Sequence, residues 1–313
     1  MSNLRQCFNA LTVVGTVKSK EVKYGNLNGD TTISVDLLIA SKEDDKIHEN
    51  KIRLWAKSTS KLYNSYVTVA NEYKSMNEHG ADADRVRISG SLEMNEYLSG
   101  TELKTYNNLK GVFVNRLDKD LKDEVGAVVE CVVTGISDEI NKDGMPTGRK
   151  KVQIMTVGYN SSIHEIQNVI VEKELAAQFV QMYPVNSTGK LYLKVNNYEI
   201  IDETKQEDKP NVGFGNALSN MPDSIAKDYV REVIIVGGDA PNIANRFTLE
   251  QIEEIKKQRE LSRNEKLNSA PSQSPSGFGN GFNQNSGNTQ NNQGGFNTFG
   301  SSGDTMDDDN MPF

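Results

Sequence analysis

Apolar and polar residues alternate with a two-residue period through much of the first 117 positions. Leu11, Val13 and Val17 are spaced by Thr12, Thr16 and Lys18, and Ile33, Val35, Leu37 and Ile39 by Ser34 and Asp36. Successive side chains of a strand point to opposite faces, so this pattern predicts half-buried strands. A third run holds Ile52 and Leu54, a helix-like stretch from about Ser60 to Met76 follows, and Val86, Ile88, Leu92 and Met94 resume the alternation. A turn at Ser99 and Gly100 leads into a last strand from about Glu102 to Val114. Five strands with one helix between the third and the fourth is the element order of an OB-fold barrel.

The same order returns from Gly126. Val128 to Val133, Lys151 to Val157 and Val169 to Val171 read as three strands, Glu174 to Met182 as a helix, and Lys190 to Ile200 and Tyr229 to Val236 as two more strands. A last helix begins at Thr248, where Gln251 three residues on completes a capping box. Its apolar stripe of Leu249, Ile252 and Ile255 is short, which suits docking on a barrel. The expected fold class is therefore all-β dominated, with two tandem OB-fold, five-stranded Greek-key barrels, a C-terminal helix and a disordered acidic-tipped tail. The expected boundaries are 1–118, 124–240 with a long loop over 203–224, 248–264 for the helix and 268–313 for the tail.

Beyond Asn268 the chain is Asn, Gly, Ser and Gln with spaced Phe, and its charged side chains are Asp304, Asp307, Asp308 and Asp309. Such a segment buries too little apolar surface to offset its ordering entropy, so disorder is expected, with a reach of roughly 35–40 Å as a flexible coil. Pro312 and Phe313 at its end give an apolar anchor beside the acids, which solubility alone does not call for.

Net charge is −8, which at first argues against a nucleic-acid partner. Half of that excess is the four tail Asp, whereas residues 1–118 carry 16 Lys and Arg against 15 Asp and Glu. The first barrel is thus near neutral, with room for a basic groove. Cys7 and Cys131 stand far apart without a CxxC pattern, which predicts buried or incidental thiols and no zinc site. No apolar run has the length of a membrane span and Met1 to Ala10 lacks the features of a signal peptide, so a cytoplasmic protein without membrane contact is expected.

Candidate chemistry lies on the outward faces. With Ile52 and Leu54 inward, Lys51, Arg53, Trp55 and Lys57 share the outer face of one strand. An aromatic among cations suits a single strand of nucleic acid, whose bases stack on aromatic faces while its phosphates meet Lys and Arg. Arg87 and Tyr97 extend that surface on the next strand, and Lys104 and Tyr106 on the last. The second barrel offers Tyr192, Lys194 and Tyr198, and the run Arg149, Lys150 and Lys151, equally readable as solvated surface.

Signals for an enzyme are poor. His48, His79 and His164 form no HExxH or His-x-His pattern, no GxxxxGK[ST] loop exists, and Gly277 with Gly279 lies in the tail. Asp36, Asp44 and Asp45 could meet Mg²⁺ in principle but read as surface acids. No catalytic residue, metal or cofactor is expected.

Several of these segments resemble bacterial and phage single-stranded DNA-binding proteins, the SSB family. Asn9 to Val17, NALTVVGTV, is similar to the family's opening strand with its V-x-G step. Lys51 to Lys57, KIRLWAK, is similar to its strand with an exposed aromatic before a small residue and a Lys, and Val86 to Leu92, VRISGSL, to its fourth strand. Tyr97 matches the stacking aromatic of the hairpin that follows, and Asp307, Asp308, Asp309, Met311, Pro312 and Phe313 resemble the family's acidic, aliphatic, Pro, Phe ending. The resemblance implies a coat on single-stranded DNA in replication, recombination and repair, with partner enzymes recruited through the tip. Trp55 stands where the family commonly has several Trp, Asn310 with Met311 replaces one aliphatic residue, and two barrels share one chain, so that a homodimer would supply four. An RNA chaperone or a protein-binding scaffold are the other readings of two such barrels.

Overall fold

The computed structural model describes residues 4–117, 121–200, 228–241 and 244–268. The tail and its tip, Asp307 to Phe313, and the loop over 203–224 lie outside the described residues.

The first unit consists of β1 (Asn9–Leu27), β2 (Asp30–Glu43), β3 (Lys46–Lys57), α1 (Tyr63–Glu72), a short turn of helix α2 (Met76–His79), β4 (Arg85–Ser99) and β5 (Glu102–Arg116). β1 pairs with β2 and β4, β2 with β3 and β4 with β5, all antiparallel, and a parallel contact of β3 with β5 closes the barrel. The inward positions Ile33, Leu37, Ile39, Ile52, Leu54, Ile88 and Leu92 are fully buried. Burying each such side chain contributes about 1.5–3 kcal/mol, and the strict alternation fixes which face it occupies.

The helix expected over Ser60 to Met76 is divided in two. Tyr73 leaves helical geometry at φ −75°, ψ 131°, and its hydroxyl donates to the carbonyl of Val114 at 3.2 Å, so the chain gives up helix to bury the ring against β5.

The second unit repeats the arrangement: β6 (Glu124–Ile140), β7 (Pro146–Val157), β8 (Ile163–Val171), α3 (Lys173–Met182), β9 (Thr188–Ile200) and β10 (Asp228–Gly238), closed by a parallel contact of β8 with β10. The fold is thus two OB barrels of the same topology. The repetition reaches single residues. A bulge between Val17 and Ser19 in β1 recurs between Val133 and Gly135 in β6. Buried Ser41 donates to the carbonyl of Val14, and buried Thr156 to that of Glu130, each at 2.8 Å. Both barrel helices end at a buried Tyr, Tyr73 and Tyr183.

The barrels are fused along β1 and β6, where Asn9–Val14 pairs antiparallel with Glu124–Val129. α4 (Leu249–Asn268) opens on the expected capping box, with Thr248 N–H donating to Gln251 at 2.9 Å and Gln251 N–H to Thr248 at 3.2 Å. Ile252 and Ile255 bury against Leu4, Cys7, Val132 and Val157, so this helix holds the N-terminal segment to the second barrel. It reaches both units through Arg259, which donates to Glu96 in β4 at 2.6 Å and to Glu165 in β8 at 3.1 Å. Among the described residues no helix is long and apolar enough to cross a membrane.

Candidate nucleic-acid interface

The β4–β5 hairpin projects from the first barrel onto the second. Gly90 and Gly111 face each other where it bends, and a Cβ on Gly90 would stand 1.8 Å from the carbonyl oxygen of Lys110, so this close crossing requires glycine. Farther out, Asn107 exchanges two bonds with the backbone of Gln167 in β8, donating to its carbonyl at 2.8 Å and accepting its N–H at 2.7 Å. Register places Asn95, Tyr97, Lys104 and Tyr106 on one face of the hairpin and Glu96 with Thr105 on the other. The second face is locked: the Glu96 side chain is 0% exposed, bonded by Arg259 and by the Thr105 hydroxyl at 2.8 Å. Burial alone would raise the Glu96 carboxyl, and the bonds from Arg259 and Thr105 outweigh it and hold it below the usual carboxylate range.

The first face is open. Tyr97 and Tyr106 are 54% and 43% exposed, and their rings meet edge to face with centroids 6.0 Å apart. They flank a groove of about 660 Å³ between the two barrels, which also takes in Lys51, Arg53 and Lys104. Its far wall belongs to the second barrel, with Asn196 and Asn197 of β9 and Arg231 of β10. Five of the eight side chains expected at a nucleic-acid surface therefore converge here. Trp55 and Lys57, both half-buried, continue the outer face of β3 beyond the groove, with Trp55 across from Ser34 of β2. Arg87 is exposed on the stretch of β4 that pairs with β1 and stands apart from the groove.

Lys51 and Arg53 are restrained by a neighbour the alternation alone did not weigh. Asp36 in β2 lies opposite Arg53, which grips its carboxylate at 2.7 and 3.1 Å, while Lys51 approaches at 2.8 Å. Burial would raise the Asp36 carboxyl, and the hydrogen bonds from Arg53 and Lys51 reverse that and hold it low. A carboxylate held by two cations is a poor ligand for Mg²⁺, and among the described residues no cluster suits a metal ion.

The polar side chains of the second barrel serve as fasteners. Lys194 bonds Glu43 at 2.8 Å and Asp44 at 2.7 Å on the first barrel. Tyr198 packs under Lys46 Nζ at 4.1 Å and against His48 at 5.2 Å. Arg149 meets Glu139, Glu172 and Glu232, and Lys150 meets Asp138. Sequence reasoning missed the wall residues Asn50, Asn196, Asn197 and Arg231. For Asn50 a signal existed, since it is a polar residue in phase with inward Ile52 and Leu54.

The profile of the YorF family matches residues 8–271, both barrels and the helix together. The chain belongs to the YorF family. No curated protein matches the sequence. Among solved structures, this YorF-family chain is similar to the wild-type single-stranded DNA binding protein from Thermus aquaticus at 12% identity and a TM-score of 0.46, over 79% of this chain and 99% of that one. It is also similar to the small single-stranded DNA-binding protein from Streptomyces coelicolor at 15% identity and a TM-score of 0.25, over 38% of this chain and 97% of that one.

Proposed function

We propose that this protein binds single-stranded DNA along the inter-barrel groove and the outer face of β3, without catalysing a reaction. The observation that carries the proposal is the convergence on one groove of two exposed, touching tyrosines with Lys51, Arg53 and Lys104. Tyr97, Tyr106 and Trp55 act as stacking platforms, each contributing about 1–3 kcal/mol per base, and the cations meet phosphates. In this reading Asp307 to Asp309 with Met311, Pro312 and Phe313 recruit enzymes of replication, recombination and repair, in the cytoplasm of a bacterium or a phage-infected cell. Burial of one Phe contributes only about 1.5–3 kcal/mol, so a single tip binds weakly and several on one DNA gain by avidity.

Titration with oligo-dT, oligo-rU and duplex, followed by Trp55 emission and by anisotropy of labelled strands, tests this. Tight oligo-dT binding that weakens as salt rises is expected. Three or four phosphate contacts to a single strand give a slope of log K against log salt of about −2 to −3. Equal affinity for oligo-rU would favour an RNA chaperone, and no binding to any strand would favour a protein scaffold.

A further inference from the structure

The two barrels match position by position, and one position at their junction breaks the match. In the first, Leu37 and Ile39 of β2 pair with Ile52 and Asn50 of β3; in the second, Val152 and Ile154 of β7 pair with Val169 and Ile166 of β8. Asn50 and Ile166 are therefore equivalent. Both are buried, at 3% and 2% exposure. Ile166 needs no polar partner, whereas Nδ2 of Asn50 has none among the described residues. An unmet buried donor is destabilising, and the second barrel demonstrates that the fold closes with an apolar residue in that place.

Asn50 lines the inter-barrel groove together with Leu109, Val195 and Val233, three buried apolar residues. Neighbouring amides are already engaged: Asn107 with the backbone of Gln167, and Asn197 with the carbonyl of Glu49. An occupant of this spot must lay an apolar face on Leu109, Val195 and Val233 and offer Asn50 an acceptor. A phosphate fails the first condition, because its charge would be desolvated on aliphatic carbon. A nucleobase meets both. Thymine does so best: a carbonyl on each side of its ring N–H meets the donor in either orientation, whereas adenine's ring-nitrogen acceptor lies beside an amino donor and meets it in one orientation only.

Resting on the proposed binding of single-stranded DNA, we infer that the groove takes one base of the bound strand, with Asn50 Nδ2 donating to a pyrimidine carbonyl. Asn50 then makes the protein favour thymine over adenine at that slot.

The test compares labelled oligo-dT and oligo-dA of equal length on the full chain, as wild type, Asn50→Ile and Asn50→Asp. Asn50→Ile installs the residue type that the second barrel carries, so its melting temperature should be no lower than wild type. Asn50→Asp keeps the size and removes the donor, and carries the test if the first variant folds poorly. Each variant should lower the ratio of oligo-dT to oligo-dA affinity about three- to tenfold, as expected for one hydrogen bond, a ratio from which the charge that Asn50→Asp adds cancels. Comparing each variant with wild type cancels the self-stacking of the free oligo-dA. If both variants keep the wild-type ratio of dT to dA affinity while still binding DNA, the slot is overturned and the binding proposal stands. If wild type binds neither strand, the binding proposal itself is overturned.

Discussion

His48 in β3 and His164 in β8 hold equivalent places in the two barrels, and each accepts a backbone N–H from the opposite barrel. His48 Nδ1 takes that of Asn197 in β9, and His164 Nδ1 that of Met94 in β4, both at 3.3 Å. The pair behaves as a two-fold latch across the junction that forms the groove. An imidazole nitrogen accepts a bond only while it carries no proton.

The first prediction follows from that condition. Burial is the largest influence on His48 and holds its pKa below the ordinary value; nearby Glu43 opposes this, and Lys194 and Lys46 reinforce it. An unfolded His titrates near about 6.5. Between that value and the lower native one the unfolded chain binds more protons, so stability is full above the interval and is lost as pH falls through it. Urea midpoints should be flat above about pH 7 and should decline below about 6.5. His48→Leu should lower the midpoint at neutral pH and flatten the decline. An unchanged pH slope in that variant would sink the idea.

Asp36 supplies the second prediction. Its carboxylate occupies Lys51 and Arg53 in the free protein, in competition with phosphates. Asp36→Asn keeps an acceptor for one of them and removes the negative charge. The variant should bind oligo-dT more tightly at low salt, with a salt slope steeper by about 0.7–1.4 if one or two cations are released to the strand. Measured affinities at four or more salt concentrations check this, and an unaltered slope would show that Lys51 and Arg53 do not meet phosphate.

The third concerns the aromatics. Tyr97→Ala, Tyr106→Ala and Trp55→Ala should each reduce oligo-dT affinity by about five- to 150-fold, the equivalent of about 1–3 kcal/mol per stacked base. Because the two tyrosine rings touch, the Tyr97 and Tyr106 losses should not add, and a double-mutant cycle should return a coupling of about 0.5–1.5 kcal/mol. Tyr192→Ala is the control: its hydroxyl bonds Asp239 away from the groove, and DNA affinity should be unchanged.

Arg259 carries the fourth. Arg259→Met leaves the Glu96 carboxylate buried with Thr105 and Lys266 as its remaining partners. Removing one partner of a buried pair costs about 3–5 kcal/mol, and the surviving contacts place this case at the low end. Urea unfolding should reveal the loss, and adding Glu96→Gln should restore part of it. DNA affinity should also fall in Arg259→Met, because Glu96 anchors the back of the hairpin that presents Tyr97 and Tyr106.

The alternation of Ile33, Val35, Leu37 and Ile39 made β2 legible, as that of Leu191, Leu193 and Val195 did β9, because a half-buried strand must repeat every second residue. Thr248 and Gln251 likewise marked the start of α4 through a local bond that needs no tertiary context. The break at Tyr73 was not legible, since it depends on the Val114 carbonyl 41 residues away. The restraint on Lys51 and Arg53 required the register of β2 against β3, which brings Asp36 opposite Arg53. The groove belongs to both barrels at once, so no single strand announces it. Tyr198 and Lys194 read from sequence equally as a second binding face or as solvated surface, because cross-barrel bonds leave the same outward pattern as either.

The last prediction separates the two ends of the chain. Tyr97, Tyr106, Lys51 and Arg53 lie in the barrels, whereas the acidic and aromatic residues Asp307 to Phe313 come some 40 positions after α4 ends at Asn268. If the tip recruits enzymes and the groove binds DNA, deletion of Met311 to Phe313 should abolish capture of replication and repair proteins from a bacterial extract while leaving oligo-dT affinity within about twofold of the full chain. The Phe should dominate, since one buried aromatic supplies most of the apolar contact and the acids mainly steer the encounter. Phe313→Ala should therefore reproduce the deletion, whereas replacing Asp307 to Asp309 with Asn should weaken capture chiefly at low salt. A tip deletion that lowered DNA affinity in proportion to its loss of partners would instead make the two ends one binding unit.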